Sequence, residues 1–333
     1  MKRSVLILAL WSVCLVTPTS VAQAAKPITS IRVDGSSTVF PITEAVAEEF
    51  QVVEPTARVT VGVSGTGGGF KKFCMGEIDL VNASRPIKAT ELAACAARKI
   101  DFLELPIAYD GLVVVVHPKN TWVDHLTVSE LKKIWEPAAQ GKITRWSHIR
   151  AGWPNQEIHL SGAGVDSGTF DFFTEVIVGK SGASRGDYIA SEDDNVLVQS
   201  VANDPAALGF FGLAYYEANK ARLRLVPIDD QNDANGRGPI AATRENILQG
   251  RYRPLARPLF IYVAKSALAR PDVVRFVDFY LKNAAAMATE TDSVALPETV
   301  LSQVRARFQK RTLGSAFSAA AAGATLTDIL AGK

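Results

Sequence analysis

Three short stretches combine glycine, serine and threonine in a way suited to holding an anion. Asp34 to Pro41 reads DGSSTVFP, Val61 to Phe70 reads VGVSGTGGGF, and Gly162 to Phe170 reads GAGVDSGTF. Each follows a short apolar run and precedes a helical pattern, so each places hydroxyls and free backbone N–H groups at a helix N-terminus, where partial positive charge favours an anion. Glycines let the backbone approach a ligand and present successive N–H groups as a nest. Each also has a plainer reading: Ser37 or Thr38 as an ordinary N-cap, the glycines around Ser64 as a flexible loop. The second stretch is no P-loop, because Lys71 follows Phe70 and no GK[ST] is present. The third misses the dinucleotide fingerprint by one residue.

A fourth segment, DLVNASRP from Asp79 to Pro86, carries Arg85 just after Ser84. Pro86 biases Arg85 toward an extended conformation. A guanidinium there could bind a tetrahedral oxyanion through two hydrogen bonds, or could pair with a surface carboxylate. Moving an anion out of water costs many kcal/mol. A helix N-terminus returns about 0.3 to 2 kcal/mol and a charge-assisted hydrogen bond about 1.5 to 3. Several donors must therefore converge, and the three turns together with Arg85 supply about that number.

The elements that must position these residues are short. Ile31 to Val33 and Val59 to Val63 read as strands, each followed by a helix, Ile42 to Phe50 and Gly68 to Cys74. That alternation predicts βα units and mostly parallel sheets. Leu112 to Val116 and Leu259 to Val263 read as strands buried on both faces. Ser129 to Trp135, Gly168 to Val178, Pro271 to Ala286 and Pro297 to Lys310 read as helices, and the tail from Ala319 to Ala324 is Ala-rich. No repeat or long linker divides the chain, which suggests rigid lobes and a cleft.

The 333 residues carry a formal charge of +2, with no basic stripe interleaved with aromatics, so nucleic acid is not an expected partner. Met1-Lys2-Arg3, the apolar run Val5 to Val16 and Ala22-Gln23-Ala24 have the form of a signal peptide cleaved after Ala24. Cys14 as a lipoprotein cysteine is the alternative, although Val13 before it is bulky. Cleavage leaves Cys74 and Cys95, an even pair in an oxidising compartment. A disulfide between them would close a loop of about twenty residues and contribute about 3 kcal/mol; two separate buried thiols are the alternative. His117, His125, His148 and His159 never stand at ligand spacing with these cysteines, so no metal is expected.

Taken together, DGSSTVFPITEAVAEEF, SGTGGGFKKFC, GEIDLVNASRPIK, GVDSGTFDFF and SEDDNVLVQSVANDPAALGFFG resemble, in order, the blocks of the phosphate-binding proteins of high-affinity phosphate ABC importers. The resemblance covers nearly the whole mature chain. It implies an α/β, two-lobed periplasmic binding protein of type II, with mixed β-sheets flanked by helices and two crossover strands near Ala108 to Gly111 and near Pro258. The lobes would be residues 25–110 plus 258–333 and residues 111–257. It further implies a monomer in the periplasm that closes on inorganic phosphate and docks onto membrane permease subunits driven by a separate ATPase, with no cofactor. The resemblance carries phosphate contacts to Ser37, Thr38, the Val39 N–H, Ser64, Ser167, Gly168 and Thr169, beside Ser84 and Arg85 of the fourth segment. Better-known members have an aspartate where Arg85 stands and an arginine near the position of Ala163, so the cationic contact has moved, and Asp166 or Asp110 would be the replacement acceptor. Sulfate or molybdate is the alternative ligand. A phosphoester hydrolase would need an activated nucleophile or metal cluster, and Ser64 in GVSGT lacks the second glycine of a GxSxG elbow. A scavenger or adhesion protein on the same fold is a third reading.

Overall fold

A computed structural model describes residues 29–165, 167–191, 193–317 and 325–332. The signal-peptide reading, Asp166 and the Ala319 to Ala324 tail lie outside these residues. Strand β1 (Thr29–Gly35) leads to α1 (Phe40–Val53), β2 (Ala57–Val61) to α2 (Gly65–Cys74), and β3 (Leu80–Ala83) to α3 (Ala89–Ala97). A long strand, β4 (Phe102–Val116), opens the next region, followed by β5 (Leu126–Thr127), α4 (Val128–Trp135), β6 (His159–Ala163) and α5 (Gly168–Phe173). Helix α5 continues as a π-helical segment over Thr174–Val178. Then come β7 (Ile189–Ser191), α6 (Asp194–Ala202), β8 (Ala207–Gly212), α7 (Leu213–Ala218), β9 (Arg224–Leu225), β10 (Ile228–Asp229) and α8 (Arg244–Leu248). The chain returns through β11 (Ala256–Ala264) and finishes with α9 (Pro271–Glu290), β12 (Val294–Ala295), α10 (Glu298–Gln309) and α11 (Leu326–Leu330).

The strands run in the order β2-β1-β3-β11-β4-β8-β6-β7. The βα units pair in parallel as expected, β1 with β2 and β3, and β6 with β7 and β8. The expectation of mostly parallel sheets fails at the centre. There β11 is antiparallel to both β3 and β4, and β4 is antiparallel to β8. Strand β4 belongs to both halves of the sheet: Phe102 to Gly111 face β11, and Leu112 to Val116 face β8. It leaves the first lobe and β11 re-enters it, so the two must point in opposite directions. Every residue of β4 is buried except Asp110, which is only partly so. That is why Leu112 to Val116 within it reads as one apolar run. Where the pairing partner changes, a Cβ on Gly111 would stand 2.6 Å from Ile247 Cδ1, so α8 packs directly on the backbone there.

Each lobe has an aromatic centre. In the first, α9 lays Val273, Phe276, Val277, Tyr280, Leu281 and Ala284 along one face, the spacing of a helix covering a sheet. Phe276 and Phe279 meet Phe50 of α1 at ring distances of 5.3 and 5.5 Å. In the second, Phe173 stacks on Phe210 at 3.8 Å and both meet the edge of Trp135. No helix among the described residues is long and apolar enough to cross a membrane.

Two devices tie down the first lobe. Cys74 at the end of α2 and Cys95 in α3 form a disulfide, Cα to Cα 4.4 Å, with both residues buried, which settles the choice between bridge and free thiols. Glu104 of β4 is fully buried and accepts from the Tyr262 hydroxyl (2.7 Å), the Ser315 hydroxyl (2.7 Å), and the backbone N–H of Ala316 (2.8 Å) and Phe317 (3.2 Å). One carboxylate thus fastens the segment after α10 to the central strands.

Thermal and denaturant unfolding should separate the two. A Cys74→Ser, Cys95→Ser double variant is expected to lose about 3 kcal/mol while remaining folded. Glu104→Ala takes the acceptor from the Tyr262 hydroxyl and the Ala316 N–H, each costing about 1 to 3 kcal/mol if it stays buried. It should destabilise at least as much as loss of the bridge; a change below that of the cysteine variant would show that the carboxylate is not the clamp.

Candidate functional site

Between the lobes lies a cavity of about 210 Å³. The first lobe supplies the turn between β1 and α1. Helix α1 starts without a side-chain cap, its N-cap position being Val39. The plain capping reading of Ser37 and Thr38 therefore does not hold, and their hydroxyls face the cavity. The N–H groups of Ser37, Thr38 and Val39 donate to no backbone acceptor among the described residues. They are the unsatisfied amides of a helix N-terminus, with the Val39 side chain buried beneath.

From the second lobe, Gly168 opens α5 against that turn. A Cβ at 168 would sit 2.8 Å from Thr38 Oγ1, 2.9 Å from Ser37 Oγ and 3.1 Å from the Thr38 nitrogen. Only glycine lets the two lobes approach this closely. Two of the three glycine and hydroxyl clusters thus meet across the cleft. The third contributes differently from expectation.

Ser64 is turned away from the cavity. It donates to Asp34 Oδ1 at 2.5 Å, and the same carboxylate holds Lys72 Nζ at 2.6 Å. Thr66, two residues on, takes the expected place and lines the cavity with Gly65 and Gly67. Its Oγ1 stands 3.1 Å from the Ser84 hydroxyl and accepts from the Ser84 N–H at 3.1 Å. Ser84 and Arg85 do reach the lining. The Arg85 guanidinium, however, is already engaged, donating from both terminal nitrogens to Glu91 at 2.9 and 2.8 Å and standing over the Phe70 ring. Its carboxylate partner lies on α3, in line with the alternative reading of this residue. Ser167 accepts from the Thr169 N–H at 3.2 Å and caps α5. Neither Ser167 nor Thr169 is on the lining.

The residue that sequence reasoning missed is Arg257. It stands on β11 opposite Asp110 of β4. Its Nε donates to Asp110 Oδ2 at 3.3 Å, Nη2 donates to Thr38 Oγ1 at 3.1 Å, and its plane lies 3.6 Å from the centre of the Phe172 ring. Thr38 spends an oxygen lone pair on this bond and keeps its hydroxyl hydrogen to donate. Burial pushes the Arg257 guanidinium down from its ordinary value, against the attraction of Asp110. Burial likewise pushes the Asp110 carboxyl up, against Arg257. Desolvation outweighs mutual attraction on both sides, so the pair alone does not compensate the buried charge. An anion against the remaining N–H groups of Arg257 would.

Lys88, Asp171 and Glu175 complete the charged lining. Asp171 accepts from Ser181 at 2.9 Å. The lining holds both signs, so a bound anion depends on directed donors more than on net positive charge. One signal for Arg257 was present: Arg257-Pro258 repeats the Arg85-Pro86 dipeptide. The strand starts at Ala256, three residues before the apolar run Leu259 to Val263 that marks it in the sequence.

A model of the PBP superfamily domain matches residues 20–284. Protein SphX of Synechocystis sp. is 46% identical over 327 residues, covering 98% of this chain and 93% of that protein. The phosphate-binding protein PstS of Staphylococcus saprophyticus is 37% identical over 280 residues, 83% of each chain. Among solved structures, one described as a possible phosphate binding protein from Planctomyces limnophilus superposes with a TM-score of 0.82 at 46% identity, covering 86% of this chain and all of its own. One described as a putative phosphate ABC transporter substrate-binding protein from Clostridium perfringens, with bound phosphate, gives 0.55 at 26% identity, with 81% and 100% covered. This two-lobed chain therefore belongs to the PBP superfamily, in the family of the SphX and PstS proteins.

Proposed function

We propose that the chain captures inorganic phosphate in the cavity between its lobes and delivers it to an ABC importer, as a binding protein and not an enzyme. The observation that carries this is the convergence of the uncapped Ser37-Thr38-Val39 turn, Gly168 and the buried Arg257 on one small polar cavity, in a chain related to PstS phosphate-binding proteins. The N-terminus of α1 and the Thr38 hydroxyl donate to the phosphate oxygens, with Ser37, Ser84 and Thr66 around them. Arg257 supplies the charge. Arg85, held by Glu91, adds its guanidinium edge. A protonated phosphate oxygen needs an acceptor, and Asp171 and Glu175 line the cavity where one is required; these replace Asp110, which Arg257 occupies.

The lobes are residues 25–110 with 258–333, and residues 111–257, hinged where β4 and β11 pass between them. The protein works as a monomer outside the cytoplasmic membrane after cleavage near Ala24, and docks onto permease subunits energised by a separate ATPase.

Calorimetric titration of the phosphate-stripped protein tests this. Tight one-to-one phosphate binding that persists in excess sulfate is expected; a folded protein giving no phosphate signal refutes the proposal. Arg257→Ala should weaken phosphate binding about 10- to 100-fold, matching a charge-assisted hydrogen bond of about 1.5 to 3 kcal/mol. Arg85→Ala should cost less, because Glu91 already neutralises it; the reverse order would return the principal charge to Arg85. For selectivity, Glu175→Gln and Asp171→Asn should narrow the preference for phosphate over sulfate. If neither changes sulfate competition, the proton is read elsewhere.

A further inference from the structure

A second, larger cavity of about 560 Å³ lies on the other side of Arg257, which forms part of the wall of both. Its size is that of an ordinary small-molecule site. Tyr109, Ala256 and Pro258 of the crossover strands make its inner wall, and Leu326 and Ile329 of α11 make another. Two polar groups there are left without the partners such groups normally have. Tyr252 is fully buried and its hydroxyl has no hydrogen-bond partner among the described residues. Leaving a hydroxyl so placed costs about 1 to 3 kcal/mol. Arg253, half-buried, donates Nε to the Gly250 carbonyl at 2.9 Å and forms no ion pair among the described residues. The other charged groups on the lining are engaged, Arg257 with Asp110 and Asp230 with the Asn232 N–H at 3.0 Å.

We propose that this cavity binds a small organic anion with an apolar body, its carboxylate or sulfonate on Arg253 and the Tyr252 hydroxyl. The apolar wall of Ile247, Pro254, Leu326 and Ile329 takes the body, and the free Nη groups of Arg253 with the Tyr252 hydroxyl fix the head. Inorganic phosphate lacks the apolar body and fills the smaller cavity instead. The Tyr109 phenol, pushed up to about 12 by burial although Arg253 lies near it, stays protonated and adds a donor to the same wall.

Anilinonaphthalene sulfonate has the required shape, an apolar ring system with one anionic head. Its fluorescence is titrated against the folded, phosphate-saturated protein, so that the smaller cavity is occupied. Saturable binding of one dye is expected, weakened about tenfold in Arg253→Ala and abolished in Ile329→Trp, which fills the cavity from partly exposed α11. Tyr252→Phe provides the control for folding. Because the hydroxyl it removes has no partner among the described residues, the thermal midpoint should hold or rise while dye affinity falls. The proposal is overturned by the absence of saturable binding, or by equal affinity in Arg253→Ala, Tyr252→Phe and the parent protein.

Discussion

Asp110 and Arg257 face each other across the antiparallel pair β4 and β11, and the site is organised around this contact. It lies on the two strands that pass between the lobes, so this guanidinium is anchored on the connection between them. From there one guanidinium reaches Asp110 beneath it, Thr38 of the first lobe and the face of Phe172 in the second. Moving any of the three moves the charge. The Gly168 contact with the Ser37-Thr38 turn fixes how closely the lobes approach it.

The energetics of this arrangement favour a ligand over an empty cleft. A buried ion pair whose desolvation exceeds its attraction is a weak source of stability; Asp171 and Glu175 on the α5 side also attract Arg257 and work against an anion, so charge alone does not select one. Under the proposed function, recognition rests on geometry: helix amides and hydroxyls with fixed directions, a guanidinium carbon 3.6 Å from the centre of an aromatic ring, and two carboxylates on the lining as acceptors. Such a site distinguishes anions by where their protons are, since an acceptor opposite a bare oxygen repels it.

Much of the fold was legible in the sequence because burial writes it there. Leu112 to Val116 reads as a strand since both its faces are covered, and Pro271 with its apolar spacing marks α9. The antiparallel centre was not legible, because a strand's direction is set by where the chain has to go next. The site was legible as chemistry but not as aim. Ser64 and Thr66 look interchangeable on paper, yet Asp34 and Lys72 draw Ser64 aside. Arg85 looks free because Glu91 stands six residues away, where only a helix start can bring it back. Arg257 went unread because a strand that begins with an arginine and a proline lacks the apolar alternation by which strands are found.

The insertion of β11 between β3 and β4 also governs the order in which the molecule can assemble. The N-terminal strands β1, β2 and β3 are made first, but the neighbour that joins them to β4 is synthesised only after the whole second lobe. Closing that gap requires a contact distant in sequence, and loop-closure entropy makes such contacts slow to form. The second lobe, whose β6, β7 and β8 are local to one another, is positioned to fold early and leave the first to be completed by the C-terminal quarter. A growing chain of this design remains unfinished at its N-terminal end until its last quarter exists.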